Sequence, residues 1–193
     1  GILAEEGYRK DSTEGYTWII DPLDGTTNFV HRLPVYAVSL ALYREGKPLL
    51  GVCYNPAAGD MFAAEAGKGA SRNGSPIKVS STAGIVNALV ATGFPYRSQN
   101  LAEISARFLR VITQAQGVRR LGAAAVDLCY VACGVFDAFW EEGLAPWDMA
   151  AGALILTEAG GRITNLDGTP FDLDRGTVVA SNTILHDEIL RCM

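Results

Sequence analysis

The chain has 193 residues, 49% of them hydrophobic, which suffices to bury a substantial core as one catalytic domain over residues 1–193. A net charge of −5 argues against non-specific attraction to nucleic acid, and no run approaches the roughly 20 apolar residues that span a bilayer. The chain starts at Gly1 with no signal-peptide pattern, and its four cysteines form no CxxC pair, which points to buried thiols in a reducing cytoplasm.

The first half reads as strands joined by tight turns. Residues 17–20 are a β-rich run expected to stop at Asp21-Pro22. Residues 35–43 are apolar or small throughout, as in a strand covered on both faces. Residues 49–54 and 61–65 continue the sheet, and Asn73-Gly74 signals a hairpin turn before a strand at 77–79. In the second half, apolar spacing predicts helices over 101–116, 123–133 and 147–159, the last stopped by Gly160-Gly161. Strands are expected at 136–140, 162–165 and 177–181, with a closing helix over 184–192. The pattern is that of a layered α/β protein.

The informative segment is Trp18-Ile-Ile-Asp21-Pro-Leu-Asp24-Gly-Thr-Thr-Asn28-Phe. Pro22 keeps Asp21 out of the helical region, so two carboxylates three apart emerge at a strand end. Gly25-Thr26-Thr27 then offers unhindered amides and hydroxyls where a helix or turn begins, suited to an anion. Carboxylates for a divalent cation beside amides for a phosphate are the parts of metal-assisted phosphoryl transfer. Taken alone, the pattern reads equally well as a surface turn with a local cap. Asp148 in the first turn of a helix reads equally as a partner for the helix dipole, and Glu5-Glu6 as a solvated strand end. His31 and His186 read as rim or solvated residues. Gly67-Lys68-Gly69 lacks the remaining glycine and hydroxyl of a P-loop. Trp18, Trp140 and Trp147 are expected to pack beside the site.

Read together, Ala4-Glu5-Glu6, Trp18 to His31, Gly51-Val-Cys-Tyr-Asn-Pro, Gly67-Lys-Gly-Ala-Ser-Arg-Asn-Gly, Trp147-Asp148-Met-Ala-Ala-Gly and Glu158-Ala-Gly-Gly161 resemble the inositol monophosphatase family. The motifs occur in order over essentially the whole chain. The resemblance implies a layered α-β-α-β-α sandwich of the sugar phosphatase type, cytoplasmic and homodimeric, with N-terminal helices before Glu5. This sequence starts four residues before that glutamate. The resemblance also implies a magnesium-dependent, lithium-sensitive hydrolase that converts inositol-1-phosphate to myo-inositol by direct attack of water. Sister sugar or histidinol phosphatases are the alternative, as is the bacterial extragenic-suppressor branch with a regulatory role at the transcription machinery.

By the same resemblance, Glu5, Asp21, Asp24 and Asp148 and the carbonyl of Leu23 bind the metal ions. Gly25 and Thr26 cradle the phosphate, and Thr26 orients the attacking water. Gly122, Ala123, Ala124 and Glu141 line the alcohol side, with Asp148 touching it beside the metals. Carboxylates gathered within about 4 Å would repel by about 4 kcal/mol per pair at an effective dielectric near 20, so such a cluster calls for divalent cations.

Overall fold

A computed structural model of the chain describes residues 1–11, 14–95 and 101–193. The first half forms one large sheet. Its strands are β1 (Ile2–Ala4), β2 (Arg9–Lys10), β3 (Tyr16–Asp24), β4 (Ala37–Arg44), β5 (Lys47–Asn55), β6 (Asp60–Glu65), β7 (Ala70–Arg72) and β8 (Ser75–Pro76), with the short helix α1 (Thr26–Val30) after β3. The spatial order is β2-β1-β3-β4-β5-β6-β7-β8, antiparallel throughout except where β1 runs parallel to β3. The second half adds β9 (Leu89–Thr92), α2 (Leu101–Ile112), β10 (Gly117–Arg119), α3 (Ala124–Ala132), β11 (Ala138–Glu142), α4 (Pro146–Glu158), β12 (Gly161–Thr164), β13 (Thr177–Asn182) and α5 (His186–Leu190). Its sheet has the order β10-β9-β11-β13-β12.

Helices α3 and α4 lie between the two sheets, and their side chains supply about half of the main core. Apart from Asp127 of α3 and the two ends of α4, both helices are apolar on every face, which is why their middles are buried on every side. Two glycines, one in α4 and one in β5, permit close approach. A Cβ at Gly152 of α4 would meet Leu128 of α3 at 2.7 Å, and one at Gly51 of β5 would meet the Ala151 carbonyl at 2.9 Å. At the far end of α4 the Glu158 carboxylate accepts the N–H groups of Gly67 and Gly69, each at 2.8 Å, tying the helix to the turn between β6 and β7. On the opposite face of the second sheet, Val111 of α2 and Ile189 of α5 pack on Val90, Trp140 and Val179. The layers are thus sheet, helices, sheet, helices. The outer face of the large sheet carries Trp18, Leu50, Tyr54 and Met61 exposed, and no helix among the described residues covers it.

Several expectations change. Strand β3 does not stop at Asp21-Pro22 but runs to Asp24, because Pro22 sits exposed where the pairing with β4 is irregular and no ladder N–H is required of it. Strand β4 is not covered on both faces. Ala37, Ser39, Ala41 and Tyr43 are buried while Val38, Leu40 and Leu42 are half-buried, an alternation that the small residues conceal in the sequence. The Asn73-Gly74 turn is present, with both residues at positive φ as a type I′ turn requires, but its second strand is Ser75–Pro76 rather than 77–79. Helix α2 ends four residues early, and β11 lies two residues later than expected, which puts Glu141 inside the strand. His186 is fully buried rather than solvated. Trp18 points to the outer face, away from the site, and Trp140 packs in the outer core. The cysteines are free thiols, three buried and Cys133 partly so.

Candidate active site

Asp21 and Asp24 are three apart, so an unbroken strand would turn them to opposite faces. It does not, because Asp21 pairs with Ser39 and Asp24 with Ala37. Three steps on β3 therefore span two on β4, and the extra residue is a bulge that brings both acids to the inner face. Asp21 Oδ1 accepts the Leu23 N–H at 2.9 Å inside this bulge. Asp24 reaches the start of α3, where its Oδ2 accepts the Ala125 N–H at 2.9 Å. Asp148 is the third residue of α4 and accepts the Ala145 N–H at 2.7 Å, which fixes its rotamer toward the same point. Three elements thus bring oxygens of Asp21, Asp24 and Asp148 within 4.8 Å of one another, the one such group of acids, histidines or cysteines among the described residues.

The parallel pairing of β1 with β3 sets Ala4 opposite Ile20, and Glu5 N–H donates to the Ile20 carbonyl at 3.2 Å. The Glu5 carboxyl consequently lies close enough to Asp21 to raise it. Burial, then Asp24 and Glu5, push Asp21 up to about 8. Burial, then Asp148, push Asp24 up to about 8, and burial carries Asp148 to about 6 against the pull of the Ala145 N–H. Neighbouring oxygens at such separations repel by about 3–4 kcal/mol per pair at an effective dielectric near 20. The donor set is all oxygen, with Asp21 and Asp24 buried and Asp148 half-buried, which fits a hard divalent cation.

The acids form one wall of a cavity of about 440 Å³. Glu5, Leu23, Gly25, Thr26, Gly122, Ala124 and Glu141 line it as well, so nearly all the residues singled out from the sequence face one space. Ala123 does not. It is buried behind the wall, where a Cβ on Gly25 would strike its methyl at 3.2 Å and the Val35 carbonyl at 3.0 Å. Gly25 itself has φ 83° and caps α1, so this tight corner admits no side chain. Thr26 Oγ1 donates to the Leu23 carbonyl at 3.0 Å, holding its hydroxyl at the mouth of the acid cluster. On the far side, burial raises Glu141 to about 8 although Arg120 opposes the rise.

Sequence reasoning missed Arg120, Phe94, Pro95 and Leu144 on the cavity wall. Only Arg120 left a signal, as a cation just before the Leu121-Gly122 turn. It also missed the task of Asn28. The Asn28 amide donates to the carbonyls of Val35 at 2.7 Å and Leu121 at 2.8 Å, joining the first-half loop to the alcohol side of the cavity.

Comparison with known proteins agrees with this geometry. The inositol monophosphatase family profile matches residues 1–192. An inositol-1-monophosphatase of Mesorhizobium japonicum is 40% identical over 193 residues, which cover all of this chain and 73% of the relative. The Nus factor SuhB of Pseudomonas aeruginosa is 46% identical over 188 residues, 94% of this chain and 69% of that protein. The solved inositol monophosphatase of Anabaena superposes with a TM-score of 0.93 at 44% identity, over 99% of this chain and 77% of that one. The matching profile, the relatives and the shared fold show that the chain belongs to the inositol monophosphatase family, a family of metal-dependent phosphatases.

Proposed function

We propose that residues 1–193 act as one catalytic unit that hydrolyses inositol-1-phosphate with magnesium as the cation. The observation that carries this reading is the convergence of buried Asp21 and Asp24 with half-buried Asp148 within 4.8 Å, a cluster that the chain's own groups leave short of positive charge. Glu5, Asp21, Asp24, Asp148 and the Leu23 carbonyl are the residues that would hold magnesium. When bound, magnesium supplies positive charge that offsets the carboxylates and stabilises charge developing on the phosphoryl group.

The chain's own residues do the rest. Backbone N–H groups at Gly25 and Thr26 hold the phosphate, with the tight Gly25 corner keeping side chains away from it. The Thr26 hydroxyl orients a water in line with the bond to be broken. No serine or cysteine nucleophile is required. Gly122, Ala124 and Glu141 bound the alcohol, and a carboxylate is suited to accept hydrogen bonds from a polyol. We further propose a cytoplasmic homodimer in which lithium competes for a cation position and retards product release.

The test is phosphate release from a panel of monoesters with and without magnesium. Release from inositol-1-phosphate that requires magnesium is the expected result. Preference for a histidinol or other sugar phosphate would move the chain to a sister activity. A second reading, a regulatory member that binds a protein partner, is favoured by the likeness to the Pseudomonas Nus factor. No release from any monoester would select it.

A further inference from the structure

The alcohol side of the cavity contains a contact that the acid cluster does not explain. Strands β9 and β11 are parallel, with Trp140 opposite Thr92, so the same register carries on to set Glu141 beside Gly93. A Cβ built on Gly93 would fall within the Glu141 carboxyl group and collide with Cδ and both oxygens. The backbone at Gly93 is outside the left-handed region, so alanine there is free of backbone strain. The three atoms nearest to that methyl position all belong to one side chain, the carboxyl tip of Glu141. The neighbours of Gly93 are fixed more firmly. Phe94 stacks edge-on against Phe108 of α2, with ring centroids 5.6 Å apart, and Phe94 and Pro95 form the adjoining cavity wall.

We propose that Gly93 is the positioning residue for Glu141. Its missing side chain lets the carboxylate lie against the strand end, facing the cavity, and so sets selectivity for a polyol phosphate over a phosphate with no neighbouring hydroxyl. The inference rests on the proposed function for its substrate class.

The experiment measures kcat/KM with magnesium for inositol-1-phosphate and for p-nitrophenyl phosphate, together with thermal unfolding. Gly93→Ala is expected to lower the polyol-to-aryl ratio about tenfold or more, the scale of one charge-assisted hydrogen bond. Combining it with Glu141→Gln should bring the ratio no lower than either change alone. Glu141→Asp, shorter by one methylene, should recover part of the ratio and of the Tm in the Gly93→Ala background. Equal losses on both substrates, additive losses in the double variant, or misfolding of Gly93→Ala with Asp as well as Glu at 141 would each overturn the proposal. A parent with no polyol preference sinks the proposed function and this inference with it. A parental preference that survives Gly93→Ala sinks the role of Gly93 alone.

Discussion

Two buried polar centres in this molecule meet burial in opposite ways. Around His186, at the start of α5, the chain supplies every partner. Ser181 Oγ donates to the Asn182 carbonyl at 2.8 Å, so it accepts from Nδ1, 2.8 Å away, and Nε2 is left to accept from Thr164 Oγ1 at 3.0 Å. Burial drives this ring down to about 4 and it stays neutral. Around Asp21, Asp24 and Asp148 the chain supplies a few backbone N–H groups, and the acids crowd each other instead. A histidine escapes desolvation by giving up its proton, whereas an acid escapes it by keeping one. The three acids cannot all keep theirs at neutral pH, because Asp148 titrates near 6 while its neighbours reach about 8. One centre is completed from within, the other from without.

The sharpest way to break this contrast is to remove one acid. Asp148→Asn keeps the shape and the α4 start, so hydrolysis should fall by three orders of magnitude or so, the scale of a lost electrostatic stabiliser. The Tm without magnesium should hold or rise. Near-normal turnover by Asp148→Asn at saturating magnesium would sink the assignment.

Acidity separates the centres next. With Asp21 and Asp24 raised from 3.8 to about 8, the unfolded state binds fewer protons than the folded one between those values. Stability contributed there falls as pH rises from about 4 to 8. His186 is lowered from 6.5 to about 4, so the unfolded state binds more protons in that window, and its contribution is complete above 6.5 and lost as pH falls to 4. Unfolding free energies across pH 4–8 in a chelator should show the first slope become shallower in Asp24→Asn and on adding magnesium, while burial of Asp21 and Glu141 keeps part of it. The second should disappear only in a His186 variant. A magnesium-insensitive slope would refute the distinction.

His186→Ala removes both hydrogen bonds and leaves a cavity, so it should destabilise the fold by about 2–4 kcal/mol in denaturant titrations. Turnover at 25 °C should stay within about twofold, as befits a residue that touches no part of the acid-lined cavity. A collapse of kcat in folded His186→Ala would join two centres that the contrast keeps apart. Glu141→Gln should act on selectivity alone and lower the inositol-to-aryl phosphate ratio of kcat/KM by about 10–100-fold. A changed magnesium requirement in that variant would move Glu141 into the acid cluster.

Much of the site was legible because it lies in contiguous motifs. Asp21, Asp24, Gly25 and Thr26 stand in one string and Asp148 lies in the first turn of a proline-started helix, so type and spacing marked them as candidates, and the ordered family resemblance gave them their roles. The bulge was not legible, since the sequence offers only Pro22 and register depends on what β4 presents. Strands β9 and β10 were missed because four and three residues carry too little pattern to stand out from a loop. His186 was misread for a similar reason. Its partners Thr164 and Ser181 are brought to it by sheet pairing, which no local window contains.

Helix α4 carries Asp148 near one end and Glu158 near the other, and these ten residues span about 15 Å. A slide by a single residue along the axis would shift Asp148 by about 1.5 Å and open the cluster. The two glycine N–H groups gripping Glu158 act at the opposite end of that rod as a longitudinal stop. The tolerance of the acid cluster is thus set partly in a surface turn far from any chemistry. Lengthening the segment between Gly67 and Gly69 would be felt first as a loss of alignment at Asp148.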